Sequence, residues 1–270
     1  MHSISLAFMD RSKKVEVMTK DSMKPRYGYY ALPIFTIFSA IIIVTGILVA
    51  IFVWFLVGFA IIGLGLYIIL SYGISMHLIG QTESTNPPEI LELEGNEKVL
   101  DAGCGLGRMT VGVAKHLSAG RVIGIDIWDK MEIPGNSPER AYTNAEIEGV
   151  RDRVEFKTGN VLSIPFPDNS FDVVTSSSVI NNLHGTSEKL KALEEILRVL
   201  RPGGRFLLLE PLRDLWGFLT FTPLGVWMLL PKDGWIALLK KTGFMNLRYN
   251  YFHRMGAFLV EKPVHHEEEA

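Results

Sequence analysis

Cysteine is nearly absent from this 270-residue sequence, where Cys104 stands alone. One thiol allows no intrachain disulfide, no multi-cysteine zinc site and no chemistry built on a thiol cluster, and it fits a reducing compartment. A long basic run is also missing. With a formal net charge of -2, the chain lacks the electrostatic footprint of a nucleic-acid binder, so no DNA or RNA partner is expected. No metal is expected either.

The most informative absence is local. From Tyr27 to Thr82 there is no Asp, Glu, Lys or Arg. The centre of that run, Ala31 to Leu70, would make a helix of roughly 60 Å at 1.5 Å per residue. A bilayer core is about 30 Å thick, so two spans fit better than one. They are expected at about residues 30–54 and 56–79, with the break near Trp54 or Gly58. Gly46 on the first span and Gly63 and Gly65 on the second would permit close helix approach. A secretory signal is excluded, because its apolar region runs only about 7–15 residues before a cleavage site. A buried pair of soluble helices would normally carry a polar stripe that is missing here.

Charge asymmetry sets an expected orientation. Arg11, Lys13, Lys14, Lys20, Lys24 and Arg26 precede the spans, and Glu83, Glu89, Glu92, Glu94 and Glu97 come after them. The positive-inside rule places the N-terminus in the cytoplasm, and two spans return the chain to that side. The expected organisation is therefore a cytoplasmic segment (1–29), a transmembrane hairpin (30–80), a polar linker with Asn86-Pro87-Pro88 (81–94), a folded domain (95–262) and an acidic tail (263–270). The lipid bilayer is the first expected partner. The first 30 residues and the tail read as solvated ends.

Beyond the linker, apolar strand-like runs alternate with amphipathic helical ones, the pattern of an α/β fold with a mainly parallel sheet and helices on both faces. A strand at Lys98 to Asp101 runs into Gly103-Cys104-Gly105-Leu106-Gly107. A helical stretch from Arg108 to Leu117 and a second strand, Arg121 to Asp126, complete a βαβ unit. Glycines at such a turn let backbone approach a ligand closely and permit positive φ. A helix N-terminus offers free N–H groups to an anion such as a carboxylate. A carboxylate ending the second strand, Asp126, suits the hydroxyls of a ribose.

The ordered motifs Val99-Leu-Asp-Ala-Gly-Cys-Gly-Leu-Gly-Arg108, Ile123-Gly-Ile-Asp126, Gly159-Asn160-Val161, Ile164 to Val174 and Leu197 to Gly204 with its strand to Glu210 resemble those of the class I S-adenosylmethionine-dependent methyltransferases. The resemblance covers about residues 95 to 262. It is nearest the ubiquinone/menaquinone-biosynthesis-like, type 11 branch. It implies S-adenosyl-L-methionine as cofactor, a Rossmann-like seven-stranded sheet and a closing β-hairpin at Phe244 to Tyr251 and Met255 to Glu261. It also implies methyl transfer to a small or lipid-like acceptor.

Carried over by position, Asp101, Gly103 and Gly105 would line the methionine end, and Asp126 with Ile127 would hold the ribose. Asn160 and Val161 would flank the adenine, and Ser176 belongs to the segment near the transferred methyl. Asn160 departs from the usual Asp, so it would accept from the adenine amine through an uncharged amide oxygen. His184 is the general-base candidate, since an unperturbed pKa near 6.5 suits proton removal at neutral pH. A hydrogen-bonding role at the start of the next helix is its alternative. Asp172 reads as an anchor for the fourth strand, Cys104 as a filler of the turn, and Trp128 as an aromatic either at the adenine edge or in the core.

The acceptor is hinted at by Leu215 to Leu230, an apolar stretch with Trp216, Phe218, Phe221 and Trp227, broken by Pro223 and Gly225. It is too short to span a bilayer comfortably. Two placements are open: on the membrane surface, admitting a lipophilic acceptor such as an isoprenoid quinone or phospholipid, or buried on the domain as a lid. A soluble or protein acceptor, and a non-catalytic cofactor-binding module, are the competing functions. No oligomeric state can be read from the sequence.

Overall fold

The computed structural model describes residues 24–79, 82–87, 89–220 and 226–264. Most of the segment 1–29, the acidic residues 265–270, and Phe221, Pro223 and Gly225 lie outside the described residues. Helix α1 runs Leu32–Phe52 and α2 runs Phe55–Ile79, separated only at Val53 and Trp54. Both are long and apolar enough to cross a membrane. Ile37, Ile41, Ile51, Phe52, Phe59 and Leu70 point outward, each more than half exposed. A soluble core pair would bury them.

The two helices meet through small residues. A Cβ on Gly46 would sit 2.8 Å from Ile62, one on Gly58 would enter the Ala50 backbone, and one on Gly65 would meet Ile43 at 2.6 Å. Gly63 has nothing within reach. Gly58, and not Gly63, is the residue that lets the helices close near their turn.

The α/β domain comes next in the chain. Its elements are β1 (Lys98–Ala102), α3 (Arg108–Ala114), β2 (Arg121–Asp126), α4 (Pro138–Ile147), β3 (Val154–Thr158), β4 (Phe171–Ser177), α5 (Gly185–Val199), β5 (Leu200–Glu210), α6 (Leu215–Thr220), α7 (Lys232–Thr242), β6 (Met245–Phe252) and β7 (Met255–Glu261). The seven strands order as β3-β2-β1-β4-β5-β7-β6, with β7 antiparallel to its neighbours and the rest parallel.

Alternation along the strands builds a core on each face. Leu100, Val174, Phe206 and Leu208 pack with Ala192, Leu193 and Ile196 of α5 and Trp235 and Leu239 of α7. Val99, Val122, Val173, Leu207 and Leu209 pack on the opposite side with Met109 and Val113 of α3 and Ala141 and Ala145 of α4. Local signals bound the helices. Ser137 caps α4 by accepting from the Arg140 N–H at 3.3 Å, with Pro138 at the first helical position. Gly243, at φ 99°, ends α7.

The strand order reverses direction between β1 and β4, the position where sheets of this kind open a crevice at their carboxyl ends. Asp172 lies at the other end, accepting from the Lys98 N–H at 2.7 Å and pairing with Arg201 at 2.7 Å. It ties β1 to β4 and stands away from the crevice.

Candidate functional site

The carboxyl ends of β1, β2, β4 and β5 open onto a cavity of about 600 Å³. That volume lies within the range of small-molecule sites, roughly 300–1,000 Å³. Its first wall is the turn after β1. The N–H groups of Gly103 and Cys104 donate to Ile125 O at 2.8 and 2.9 Å, pinning the turn against β2. Gly103 and Gly105 hold φ at 82° and 51°. A Cβ on Gly103 would collide with Val179, and one on Gly105 would stand 2.9 Å from Ile133. Both positions therefore demand glycine, and the backbone itself forms the surface a ligand would touch.

Asp126 ends β2 facing this wall. Its carboxylate accepts from the Gly105 N–H at 2.8 Å, the Trp128 N–H at 2.7 Å and Asn136 Nδ2 at 3.0 Å. A carboxylate has about four acceptor positions, so one remains. To accept both hydroxyls of a ribose, Asp126 must release one of these donors. The Asn136 Oδ1 atom is buried with no partner among the described residues, and its side chain borders the cavity.

Asp101 is buried beneath the turn, accepting from Thr110 Oγ1 at 2.5 Å and Thr175 Oγ1 at 2.9 Å. Burial pushes its carboxyl up to about 6, against the two threonine hydroxyls that favour the charged form. A cation arriving nearby would bring it down again by favouring the charged form. Cys104 is buried too, and burial pushes its thiol up, which makes it an inert filler.

At the adenine end, Asn160 Oδ1 already accepts from the Leu162 N–H at 2.9 Å, leaving one lone pair for a ligand amine. Val161 and the exposed Ile127 border the cavity beside it. Trp128 does not. Its indole N–H donates to Thr158 Oγ1 at 3.1 Å, and the ring packs against the α3/α4 core.

Two expected residues fall outside the cavity lining. Ser176 alternates away from the face carrying Thr175 and Ser177, and its buried Oγ has no partner among the described residues. Ser177 and Ser178 take the lining position instead. His184 stands exposed at the N-cap of α5, where its backbone N–H donates to Glu188 Oε2 at 2.8 Å. Its imidazole does not border the cavity, so it has no acceptor to deprotonate.

The far wall is made by residues whose sequence suggests only solvated ends and linker. Tyr27, Gly28 and Tyr30, just before α1, line the cavity with Glu83 to Asn86, just after α2. Tyr27 and Ala31 are each only 5% exposed. Both segments are tied to the C-cap of α4. Glu148 Oε1 accepts from Tyr27 OH at 2.5 Å and from the Ser84 N–H at 3.2 Å, while its Oε2 accepts from Ser84 Oγ at 3.2 Å and from Lys115. Asn144 holds Arg26 through reciprocal bonds at 2.9 and 3.0 Å. Hydrogen bonds to a charged group contribute about 1.5–3 kcal/mol each. The Tyr27-Gly28-Tyr29-Tyr30 cluster beside an apolar run is the only trace of this wall in the sequence.

Above the end of β5, Glu210 is fully buried, with one oxygen accepting from the N–H groups of Val179, Ile180 and Asn181 at 3.1, 2.7 and 3.3 Å. Burial raises its carboxyl to about 7 despite those donors. It fixes the 178–182 turn, whose Ser178, Val179 and Asn182 face the cavity.

The outer rim comprises Ser75 and Met76 from the end of α2, Gly217 from α6, and His253, Arg254 and Met255 from the β6–β7 turn. Helix α6 packs against α2. Its Leu215, Trp216, Phe218 and Leu219 are exposed, with Trp227 and Met228 beyond. In the described part of the 215–230 stretch only Val226 and Leu229 carry large side chains that are buried.

Residues 100–208 match the model of the family described as "Methyltransferase domain". A demethylmenaquinone methyltransferase of Lactiplantibacillus plantarum is 38% identical over 143 residues, 53% of this chain and 54% of that protein. A ubiquinone/menaquinone biosynthesis C-methyltransferase of Salmonella arizonae is 39% identical over 115 residues, 42% of each chain. The chain spans about half the length of the curated relatives it matches. A solved S-adenosylmethionine-dependent methyltransferase of Methanosarcina mazei superposes with a TM-score of 0.52 at 21% identity, over 67% of this chain and 100% of that one. This last likeness is one of fold.

Proposed function

Because the chain carries a class I S-adenosylmethionine-dependent methyltransferase domain of the ubiquinone/menaquinone type, we propose that it is a membrane-anchored enzyme methylating a lipophilic acceptor from the cytoplasmic side. The carrying observation is that one cavity is walled both by the glycine turn with Asp126 and by the segments entering and leaving the apolar hairpin. An acceptor leaving the bilayer along α2 would arrive at the cofactor without crossing water.

The glycine cradle, the buried Asp101, Asp126 and the unpartnered Asn136 Oδ1 fit the cofactor. Asp101 would face its ammonium group, Asp126 its ribose, and Asn160 with the Val161 backbone its adenine. The cofactor supplies an electrophilic methyl on a positively charged sulfur. The residues of this chain then have three tasks: to orient the acceptor in line with that methyl, to exclude water, and to hold the 178–182 turn through Glu210. Glu132, whose carboxyl burial pushes up, and His253 also line the cavity, and the acceptor presents the nucleophile.

The relatives named for menaquinone and ubiquinone biosynthesis support a quinone-type acceptor. The exposed apolar faces of α1, α2 and α6 support the bilayer, and the positive charges before Leu32 support a cytoplasmic N-terminus. The test is transfer of labelled methyl from S-adenosylmethionine to membrane lipid extract by the full chain. Label in the organic phase, lost in Asp126→Ala, is the expected result. Label appearing only in soluble acceptors would replace the lipophilic reading with a tethered enzyme for soluble substrates.

A further inference from the structure

The β6–β7 connection is a two-residue turn, with Phe252 and Met255 paired across it. Its central residues, His253 and Arg254, sit at φ 47° and 66°. Two consecutive left-handed residues define the turn in which Asn-Gly is the unstrained choice, because a Cβ is disfavoured at both positions. Here a histidine and an arginine hold it, and both border the cavity. Strain kept at a cavity rim is a pointer to what those side chains do.

The Arg254 guanidinium lies 4.6 Å from the centre of the Trp216 ring, and no ion pair to a carboxylate involves it among the described residues. The ring contact holds the guanidinium at the rim while its N–H groups remain available, and a guanidinium fork is suited to an anionic oxygen. The same cavity is lined by the apolar Met76 from α2, Leu183 and Met255, by Gly217 from α6, and by the polar Ser75 and Glu132. Tyr30 and Asn182 supply polar groups on the inner side. A charged fork sharing a cavity with apolar side chains, beside the end of a bilayer-length helix, matches an amphiphile better than a fully polar molecule.

We infer that the His253-Arg254 turn is the headgroup-recognition element of the acceptor site, and that the acceptor carries an anionic oxygen, phenolate or phosphate, on an apolar tail. This rests on the methyltransferase reading of the cavity.

The experiment uses the full chain in phosphatidylcholine nanodiscs. Two probes are titrated separately, a short-tailed prenyl naphthohydroquinone and phosphatidylglycerol, so that the phenolate and phosphate sources are told apart. Arg254→Ala is expected to bind the preferred probe about tenfold more weakly or worse, with S-adenosylhomocysteine affinity unchanged. The paired substitution His253→Asn with Arg254→Gly separates recognition from folding. Relief of the turn should raise the thermal midpoint while probe binding falls as far as in Arg254→Ala. If the paired variant is more stable and binds both probes as the wild type does, the turn is structural and the inference is wrong. Wild type that binds neither probe also overturns it. Failure to bind S-adenosylhomocysteine would instead count against the methyltransferase reading, because probe binding is measured without it.

Discussion

The two halves of the cavity are built in different ways. The cofactor half comes from consecutive turns of one βαβ unit, where Gly103, Gly105, Asp101 and Asp126 lie within 26 residues of chain, from 101 to 126, and are joined by direct hydrogen bonds between the turn and β2. The half proposed for the acceptor is assembled from Tyr30, Met76, Asn182, Gly217 and Arg254, which come from five separate segments and share no motif. A half held by local geometry tolerates no change in backbone. A half assembled from distant side chains should tolerate substitution while changing what it binds.

The sharpest way to break that contrast is Gly103→Val. A side chain there collides with Val179 and forces a strained φ, so S-adenosylmethionine affinity should drop by on the order of a hundredfold or more, given a cost of about 1–2 kcal/mol for the backbone and more for the overlap. Calorimetry checks it, and a loss under threefold would mean the turn is not the cofactor wall.

Next in size is a pH effect on the same half. Asp101 titrates at about 6 when folded, against 3.8 for an ordinary aspartate. A raised carboxyl favours the folded state while protonated, so its contribution is full below pH 4 and is lost as pH rises through 6. Wild type should therefore lose about 3 kcal/mol relative to Asp101→Asn between pH 4 and pH 7 in chemical denaturation. Cofactor binding should run the other way, weakening below pH 6 with about one proton released per cofactor bound. A flat difference between the two proteins would leave Asp101 without the assigned role.

The walls that join the halves come third. Glu148→Ala releases Tyr27, Ser84 and Lys115 together and should cost about 2 kcal/mol of stability, while methyl transfer falls more than cofactor affinity does. Equal loss of both would mean that these segments serve the cofactor alone. The smallest effect belongs to His184→Ala. Exposed at the N-cap of α5 and outside the cavity lining, it should shift stability by less than about 0.5 kcal/mol and leave transfer rates unaltered across pH 6 to 8.

The same contrast explains what could be read from the sequence. The mainly parallel sheet is legible because apolar strand-like runs alternate with amphipathic helical ones and the glycine turn is a local pattern; the seven strands and closing hairpin follow from the family resemblance, and the strand order emerges only in the fold. The parity error at Ser176 is also local: in a run of three serines, 176 to 178, nothing marks which face each takes, and pairing with β5 decides it. Gly58 against Gly63 turns on helix phase, which a run of uniformly apolar residues does not reveal. Tyr27, Tyr30 and Arg254 escape notice for a different reason. Their role exists only once the hairpin ends and the β6–β7 turn are brought together, and no spacing encodes that.

The most direct test of the central claim is calorimetric titration of S-adenosylmethionine and S-adenosylhomocysteine into the purified full chain, with Asp126→Ala alongside. The wild type is predicted to bind in the micromolar range, and the variant to lose roughly tenfold to a hundredfold, as expected for charge-assisted hydrogen bonds removed from a ribose. A folded wild type that binds neither ligand, or a variant that binds as well, would contradict the assignment of this cavity to the cofactor.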